Sequence, residues 1–105
     1  MEYDQMMQKM TFIMYGDDIW RVHINHEEDG TPVIIIDLHY MSCKDARRAL
    51  NNIIAMYKFE FKIKVIHGYN HGTALRDMIR GELNNKRVKN MIYPHNQGQT
   101  ILEIS

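Results

Sequence analysis

Hydrophobic and polar residues alternate along two stretches of this chain, and each stretch predicts a β-strand with one buried face. In the first stretch, Trp20, Val22 and Ile24 alternate with polar residues. The turn-forming residues 27–32 follow directly, so we expect this strand to return as one arm of a hairpin. In the second stretch, residues 58–65, Phe, Ile and Val alternate with Lys and Glu. Both patterns predict strands that lie at the surface of a hydrophobic core.

Three further stretches also favour strands. Residues 33–36 are apolar at every position, which is typical of a central strand covered on both faces or nearly so. Residues 88–93 and 99–104 predict two more strands, and the polar turn at residues 94–98 joins them. The chain therefore carries several short predicted strands, one of them near its N-terminus.

Helical periodicity predicts two helices. Ser42, with Asp45 three residues later, has the spacing of a capping box and predicts the start of the first helix. The second helix begins near Thr73. Apolar residues recur at helical spacing in both and should face the core; they are Ala46, Ala49, Leu50, Ile53, Ile54 and Tyr57 in the first helix, and Leu75, Met78, Ile79 and Leu83 in the second.

The order of these elements predicts an α/β fold. A strand, a helix of about fifteen residues and a second strand imply a right-handed crossover between parallel strands. We therefore expect a βαβαββ domain with two main helices. An N-terminal extension with an extra strand should precede it. The domain then occupies residues 31–105, and residues 1–30 form an acidic extension that includes the hairpin arm.

Polar side chains follow two of the predicted strands at the points where they end. Asp37 and His39 alternate along one strand end and should project together, and His67 ends the next strand. If the strands are parallel neighbours, these three side chains converge at the sheet edge where α/β proteins bind ligands. The glycine-containing loop 68–72 then leads into the second helix and Arg76, an arrangement that favours anions. Each residue alone has ordinary structural explanations, but together they favour a site for an anionic ester.

Charge is distributed unevenly along the chain, although the formal net charge is zero. Residues 1–30 contain seven acidic and two basic residues, whereas residues 31–105 contain six acidic and eleven basic residues. A basic domain behind an acidic segment fits an anionic partner such as nucleic acid, although an ordinary solvated surface explains the same charge. The single cysteine, Cys43, favours a reducing compartment, and no apolar run approaches the length of a membrane span. We therefore expect a cytoplasmic protein without a membrane partner.

Four separated motifs resemble the Smr (small MutS-related) domain family, and together they cover about residues 33–105. The motifs are Ile36-Asp37-Leu38-His39, Val65-Ile66-His67-Gly68, Thr73-Ala74-Leu75-Arg76 and Gly98-Gln99-Thr100-Ile101-Leu102. The resemblance implies an α/β two-layer βαβαββ sandwich with a mixed four-stranded sheet and two main helices, akin to the C-terminal domain of a translation initiation factor. It also implies an endonuclease that nicks DNA or cleaves RNA, or a module that prefers branched nucleic acid. Two positions depart from the family pattern, because Tyr40 and Asn70 stand where the family usually has glycine.

The resemblance implies a phosphodiester-cleaving endonuclease, a hydrolase in which Asp37, His39 and His67 are catalytic. His39 acts as general base oriented by Asp37, and His67 acts as general acid or as a phosphate contact, with the assignment of the two histidines left open. RNA supplies its own 2′-hydroxyl nucleophile, whereas water must attack DNA, where Mg²⁺ or Mn²⁺ held by Asp37 would help. Tyr40 and Tyr69 could instead stack on an unpaired base. The expected nucleic-acid contacts are Tyr40, Lys44, Arg47, Arg48, Gly68, Tyr69, Asn70, His71, Gly72, Thr73 and Arg76.

Two other functions compete with cleavage. The first is a non-catalytic module that docks on structured or branched nucleic acid through a set of basic residues; they are Lys44, Arg47, Arg48, Lys62, Lys64 and Arg76. The second is a metal-binding or protein-interaction domain that uses His39, His67 and His71. The two departures from the family pattern favour the non-catalytic module.

Overall fold

The computed structural model describes residues 5, 6, 8, 20–68 and 72–105 of the chain. Within these residues the strands are β1 (Val22–His26), β2 (Pro32–Asp37), β3 (Phe61–Ile66), β4 (Val88–Ile92) and β5 (Gln99–Ile104). Helix α1 spans Cys43–Met56, and helix α2 spans Ala74–Asp77 and continues as a π-helical turn over Met78–Glu82. None of the helices in the described part of the chain is long and apolar enough to cross a membrane.

The strands form a single mixed sheet in the order β1-β2-β3-β5-β4. β2 and β3 are parallel, and every other neighbouring pair is antiparallel. The predicted α/β class is therefore confirmed, with the expected four-stranded sheet extended by the extra N-terminal strand. That strand pairs with β2 from Val22 opposite Ile36 to His26 opposite Pro32, so the hairpin arm is part of the sheet.

One face of the sheet carries the hydrophobic core, because alternate side chains of each strand point towards α1 and α2. The buried apolar strand residues are Val22, Ile24, Ile34, Ile36, Phe61, Ile63, Val65, Leu102 and Ile104, and the buried helical residues include Ala46, Ala49, Leu50, Ile53, Ile54, Met78 and Ile79. On the opposite face Val33 and Ile35 are only half-buried, so the helices cover one side of β2. Trp20 was expected to face inward with Val22 but is 55 % exposed, and it precedes the first residue of β1.

The backbone groups at the two ends of α1 have different hydrogen-bond partners. The hydroxyl of Ser42 accepts the backbone N–H of Asp45 at 3.1 Å, which confirms the predicted cap of α1. The last turn of α1 contains no basic residue. Arg87, which lies outside the helix, instead donates from its guanidinium to the carbonyl oxygens of Ile54 and Tyr57. One cation from a distant part of the chain thus satisfies the carbonyls that the helix leaves unpaired.

The same guanidinium donates to the carbonyl oxygen of Phe59 at 3.1 Å and to that of Ser105 at 2.7 Å. Arg87 therefore joins the end of α1, the start of β3 and the C-terminus of β5. We expect Arg87→Met to lower the free energy of unfolding by about 2–3 kcal/mol, because several carbonyl oxygens lose a charged donor. Urea unfolding measures this change. Lys89→Met is the matched control, because Lys89 is exposed and its ion pair with Glu60 is long, at 3.8 Å, and therefore weak.

Candidate functional site

The site forms where the parallel strands β2 and β3 end. The backbone N–H of Leu38 donates to the carbonyl oxygen of Ile66 at 2.8 Å, which carries the strand pairing one residue beyond Asp37. The next residues are held equally close, since a Cβ built on Gly68 would lie 3.8 Å from the Cβ of His39. The two motifs that the sequence separates by about thirty residues therefore meet at one edge of the sheet.

The β4–β5 turn closes a third side of this edge. The backbone N–H groups of His67 and Gly68 both donate to the carbonyl oxygen of Gly98, at 2.9 and 3.0 Å. Together the three segments enclose a cleft of about 680 Å³, with one further wall from the start of α2. The lining residues are Asp37, His39, Tyr40, Met41, Ser42, Cys43, Ile66, His67, Gly68, Gly72, Ala74, Leu75, Asn96, Gly98 and Gln99. The cleft thus brings together the three residues predicted to be catalytic.

Asp37 and His39 form a hydrogen-bonded pair in this cleft. Nδ1 of His39 lies in contact with Oδ1 of Asp37, and the same oxygen accepts the backbone N–H of His39 at 3.1 Å. Because a carboxylate only accepts, Nδ1 carries the proton and Nε2 presents its lone pair. The His39 side chain is 36 % exposed, and Nε2 has no hydrogen-bond partner among the described residues. This arrangement can accept a proton from a bound nucleophile.

His67 lines the same cleft but is held very differently. It is 4 % exposed, Nδ1 lies 2.8 Å from the carbonyl oxygen of Gly68, and Nε2 lies 2.9 Å from Oγ1 of Thr100. Since a carbonyl only accepts, Nδ1 donates, and Nε2 accepts the Thr100 hydroxyl, whose oxygen accepts Nε–H of Arg80 at 3.0 Å. Both ring nitrogens are therefore used. These contacts fix the Gly68 turn, and they engage the two nitrogens that either predicted role of His67, general acid or phosphate contact, would need.

Burial and neighbouring charge act together on His67. Loss of hydration lowers the pKa of its imidazole below the ordinary value of 6.5, and the cations Arg80 and Arg76 lower that pKa further. The neutral ring is the form that the Gly68 and Thr100 contacts require.

The glycine loop differs in part from the phosphate cradle predicted from the sequence. Gly68 and Gly72 have φ angles of +73° and +108°, which only glycine adopts without strain. The backbone N–H of Gly68, however, is already bonded to Gly98 and is not available to a phosphate. The predicted contacts Tyr69, Asn70 and His71 lie outside the described residues.

The start of α2 is also occupied by local contacts. The hydroxyl of Thr73 makes no capping bond and instead donates to a carboxylate oxygen of Asp77 at 2.9 Å. Arg76 donates to the other oxygen of Asp77 at 3.2 Å and does not line the cleft. The hydroxyl of Thr73, followed by Arg76, lowers the pKa of the Asp77 carboxyl. Neither Thr73 nor Arg76 therefore contacts the cleft in the way that the sequence predicted.

The predicted basic residues divide between two sides of the molecule. Lys44, Arg47 and Arg48 line a groove of about 340 Å³ between α1 and the π-helical turn, and Cys43 lines both this groove and the cleft. Lys62 and Lys64 project from the opposite face of the sheet, because their neighbours in β3 face the helices. Lys62 is also paired with Glu27 at 2.7 Å and Glu103 at 3.8 Å. The predicted basic residues therefore lie on more than one surface, and those of α1 line the groove that adjoins the cleft at Cys43.

Several residues that support the site were not predicted. Nη1 of Arg21 donates to the backbone carbonyl oxygens of Asp37 at 3.1 Å and His39 at 2.9 Å. The ring centroid of Trp20 lies 6.5 Å from that of His39. Both residues belong to the N-terminal part, which the family resemblance does not reach. Thr100 lies within the last of the four motifs, but only the fold shows that its hydroxyl is hydrogen-bonded to His67.

The described residues do not supply a metal site at the cleft. No group of three or more His, Cys, Asp or Glu side chains with suitable geometry occurs among them. Asp37 has a carboxylate oxygen committed to His39, and His67 has both nitrogens engaged. The predicted metal-binding use of His39, His67 and His71 therefore has no support in the described part of the chain.

Comparison of the sequence with models of known protein families finds no match, and comparison with curated proteins finds none at a significant level. The likeness to the Smr domain therefore rests on the four sequence motifs alone.

The lowered pKa of His67 predicts how stability depends on pH. The unfolded chain takes up a proton near the ordinary value of 6.5, but the folded chain resists it. The stabilisation is therefore complete above that value and is lost as pH falls through the lower pKa of the folded state. We expect the urea midpoint of the wild type to fall between about pH 7.5 and 5.

His67→Asn should flatten this pH dependence, even though the variant is less stable at neutral pH. The control is His26→Asn, because His26 is exposed at the far end of β1. A His67→Asn variant that loses stability with acid as steeply as the wild type would contradict the assignment of a buried neutral imidazole.

Proposed function

We propose that this protein binds nucleic acid at the cleft and cleaves a phosphodiester bond there, with His39 as general base. The observation that carries the proposal is the imidazole of His39, which lines the cleft, is held at Nδ1 by Asp37, and has no hydrogen-bond partner at Nε2 among the described residues. The four sequence motifs that resemble the Smr domain support the same activity independently of the geometry.

Proton transfer at His39 gives a balanced route for cleavage of RNA. The 2′-hydroxyl gives its proton to Nε2 of His39 while its oxygen forms a bond to phosphorus and the bond from phosphorus to the 5′-oxygen breaks. The leaving oxygen takes its proton from water, because the nitrogens of His67 are engaged. Asp37 holds the tautomer and stabilises the imidazolium that forms. With DNA, a water molecule takes the place of the 2′-hydroxyl.

The basic groove supplies the charge that the cleft lacks. Lys44, Arg47 and Arg48 follow one another around the first turns of α1, and Cys43 joins their groove to the cleft. A strand with its reactive phosphate at His39 would place a neighbouring phosphate at this groove. Phosphate contacts of this kind hold the strand in register without reading its sequence.

A non-catalytic binding module is the second candidate, and the state of His67 favours it. Enzymes that cleave RNA with two histidines use one as base and one as acid, and here only His39 has a nitrogen available among the described residues that line the cleft. A binding module needs the cleft and the basic groove but no proton transfer. The two candidates therefore predict different results when the imidazole of His39 is removed. An endonuclease loses cleavage, whereas a binding module changes only in its affinity for nucleic acid.

Cleavage is tested with supercoiled DNA and a structured RNA, each with and without Mg²⁺ or Mn²⁺. We expect product from the wild type, and a loss of at least about 100-fold in rate for His39→Ala and for Asp37→Asn, with most binding retained. His26→Ala is the control, because it removes an exposed imidazole at the opposite end of β1. Binding without cleavage under every condition would favour the module, and undiminished cleavage by His39→Ala would exclude His39 from the reaction.

The basic groove is tested by the salt dependence of binding. Replacing Lys44, Arg47 and Arg48 together by Gln should weaken binding and reduce the slope of log K against log salt by about two, since each phosphate contact contributes roughly 0.7 on a single strand. Lys58→Gln removes an exposed cation that precedes β3, at the end of the sheet away from the cleft, and should leave both quantities unchanged. Equal effects of the two variants would mean that the charge acts through the whole surface and not through the groove.

A further inference from the structure

Two exposed aromatic rings flank the imidazole of His39. Trp20 is 55 % exposed and Tyr40 is 73 % exposed. Their ring centroids lie 6.5 and 4.5 Å from that of His39, with interplanar angles of 70° and 61°. Tyr40 lines the cleft, and Trp20 lies beside it against His39. Large aromatic side chains are more often buried, so two exposed rings next to one imidazole call for an explanation outside the core.

The indole of Trp20 is held in place by a fixed cation. The guanidinium carbon of Arg21 lies 4.7 Å from the centroid of the indole ring. The same guanidinium donates to the carbonyl oxygens of Asp37 and His39, so it cannot move without breaking the end of β2. Trp20 is thus positioned beside the Asp37–His39 pair before any ligand arrives, which reduces the entropy lost on binding.

Tyr40 occupies a backbone conformation that suits glycine. Its φ angle is +68°, in the left-handed region that side chains other than Gly, Asn and Asp rarely adopt. Glycine would relieve this strain, and the resembled family has glycine at this position. A strained residue that keeps a largely exposed aromatic ring at a cleft points to a use for the ring.

We propose that Trp20 and Tyr40 form a stacking site for an unpaired nucleobase next to the phosphodiester on which His39 acts. Flat aromatic faces bind any base, because every base has a π-face, but a base stacked in a duplex has no face to offer. The substrate is therefore single-stranded, or has a base turned out of the helix at the cleavage position. This inference rests on the proposed function and adds the strand state of the substrate.

Intrinsic fluorescence reports on the site directly, because Trp20 is the only tryptophan of the chain. The full-length protein is titrated with an RNA single strand of about 12 nucleotides, and separately with the same sequence as a blunt duplex. We expect the single strand to quench Trp20 with saturation and the duplex to bind more weakly without quenching.

Variants separate stacking from folding. Measured by anisotropy of a labelled strand, Trp20→Ala should weaken single-strand binding roughly 5- to 100-fold, whereas Trp20→Phe keeps a ring and most of the affinity. Tyr40→Gly should weaken binding in the same direction while folding at least as well, because glycine suits the positive φ angle. Tyr93→Ala is the control, because Tyr93 is also exposed, at 58 %, and packs on a guanidinium, that of Arg80 at 4.0 Å, but its ring makes no contact with the ring of His39.

The outcomes distinguish this inference from the function on which it rests. Quenching by the single strand without cleavage would support the stacking site and count against the endonuclease. Binding or cleavage of the duplex as tight or as fast as the single strand, with unchanged Trp20 fluorescence, would overturn the stacking site and leave the proposed function standing. Failure of both RNAs to bind would overturn the stacking site, and if the supercoiled DNA is also neither bound nor cleaved, the proposed function is overturned as well.

Discussion

The parallel pairing of β2 and β3 is the constraint on which the rest of the structure depends. It aligns Asp37 with Ile66, and the bond from Leu38 to Ile66 extends it past the end of β2. Parallel strands need a crossover, and α1 provides it while covering the buried face of the sheet. Because both strands end at the same edge, the Asp37–His39 pair and the Gly68 turn become neighbours without any direct pairing between their side chains.

The site contains one histidine that can accept a proton from a bound ligand and one whose two ring nitrogens are both hydrogen-bonded within the protein. Asp37 holds the His39 ring at Nδ1 and leaves Nε2 without a partner among the described residues, while the neutral ring of His67 links Gly68 to Thr100 and Arg80. The difference follows from strand direction. His67 continues the buried side of β3, whereas Asp37 lies on the half-buried side of β2 and His39 follows beyond the strand end. Two histidines that look equivalent in the sequence therefore have different roles.

Local patterns were sufficient to predict most of the fold and the meeting of the two motifs. Alternation predicted the strands, the spacing of Ser42 and Asp45 predicted the start of α1, and the strand-helix-strand order predicted the parallel pair. Contacts between distant residues carry no local pattern and could not be predicted. Neither the position of Arg87 at the end of α1 nor that of Arg21 behind His39 follows from the residues around it. The burial of His67 depends in the same way on Thr100 and Arg80.

The central claim, that the two motifs form one site, is tested most directly by proton NMR of the folded protein. We predict a nuclear Overhauser effect between the β-protons of His39 and the α-protons of Gly68, because a Cβ built on Gly68 would lie 3.8 Å from the Cβ of His39. Resolved, assigned signals for both residues with no such effect would separate the motifs and contradict the account.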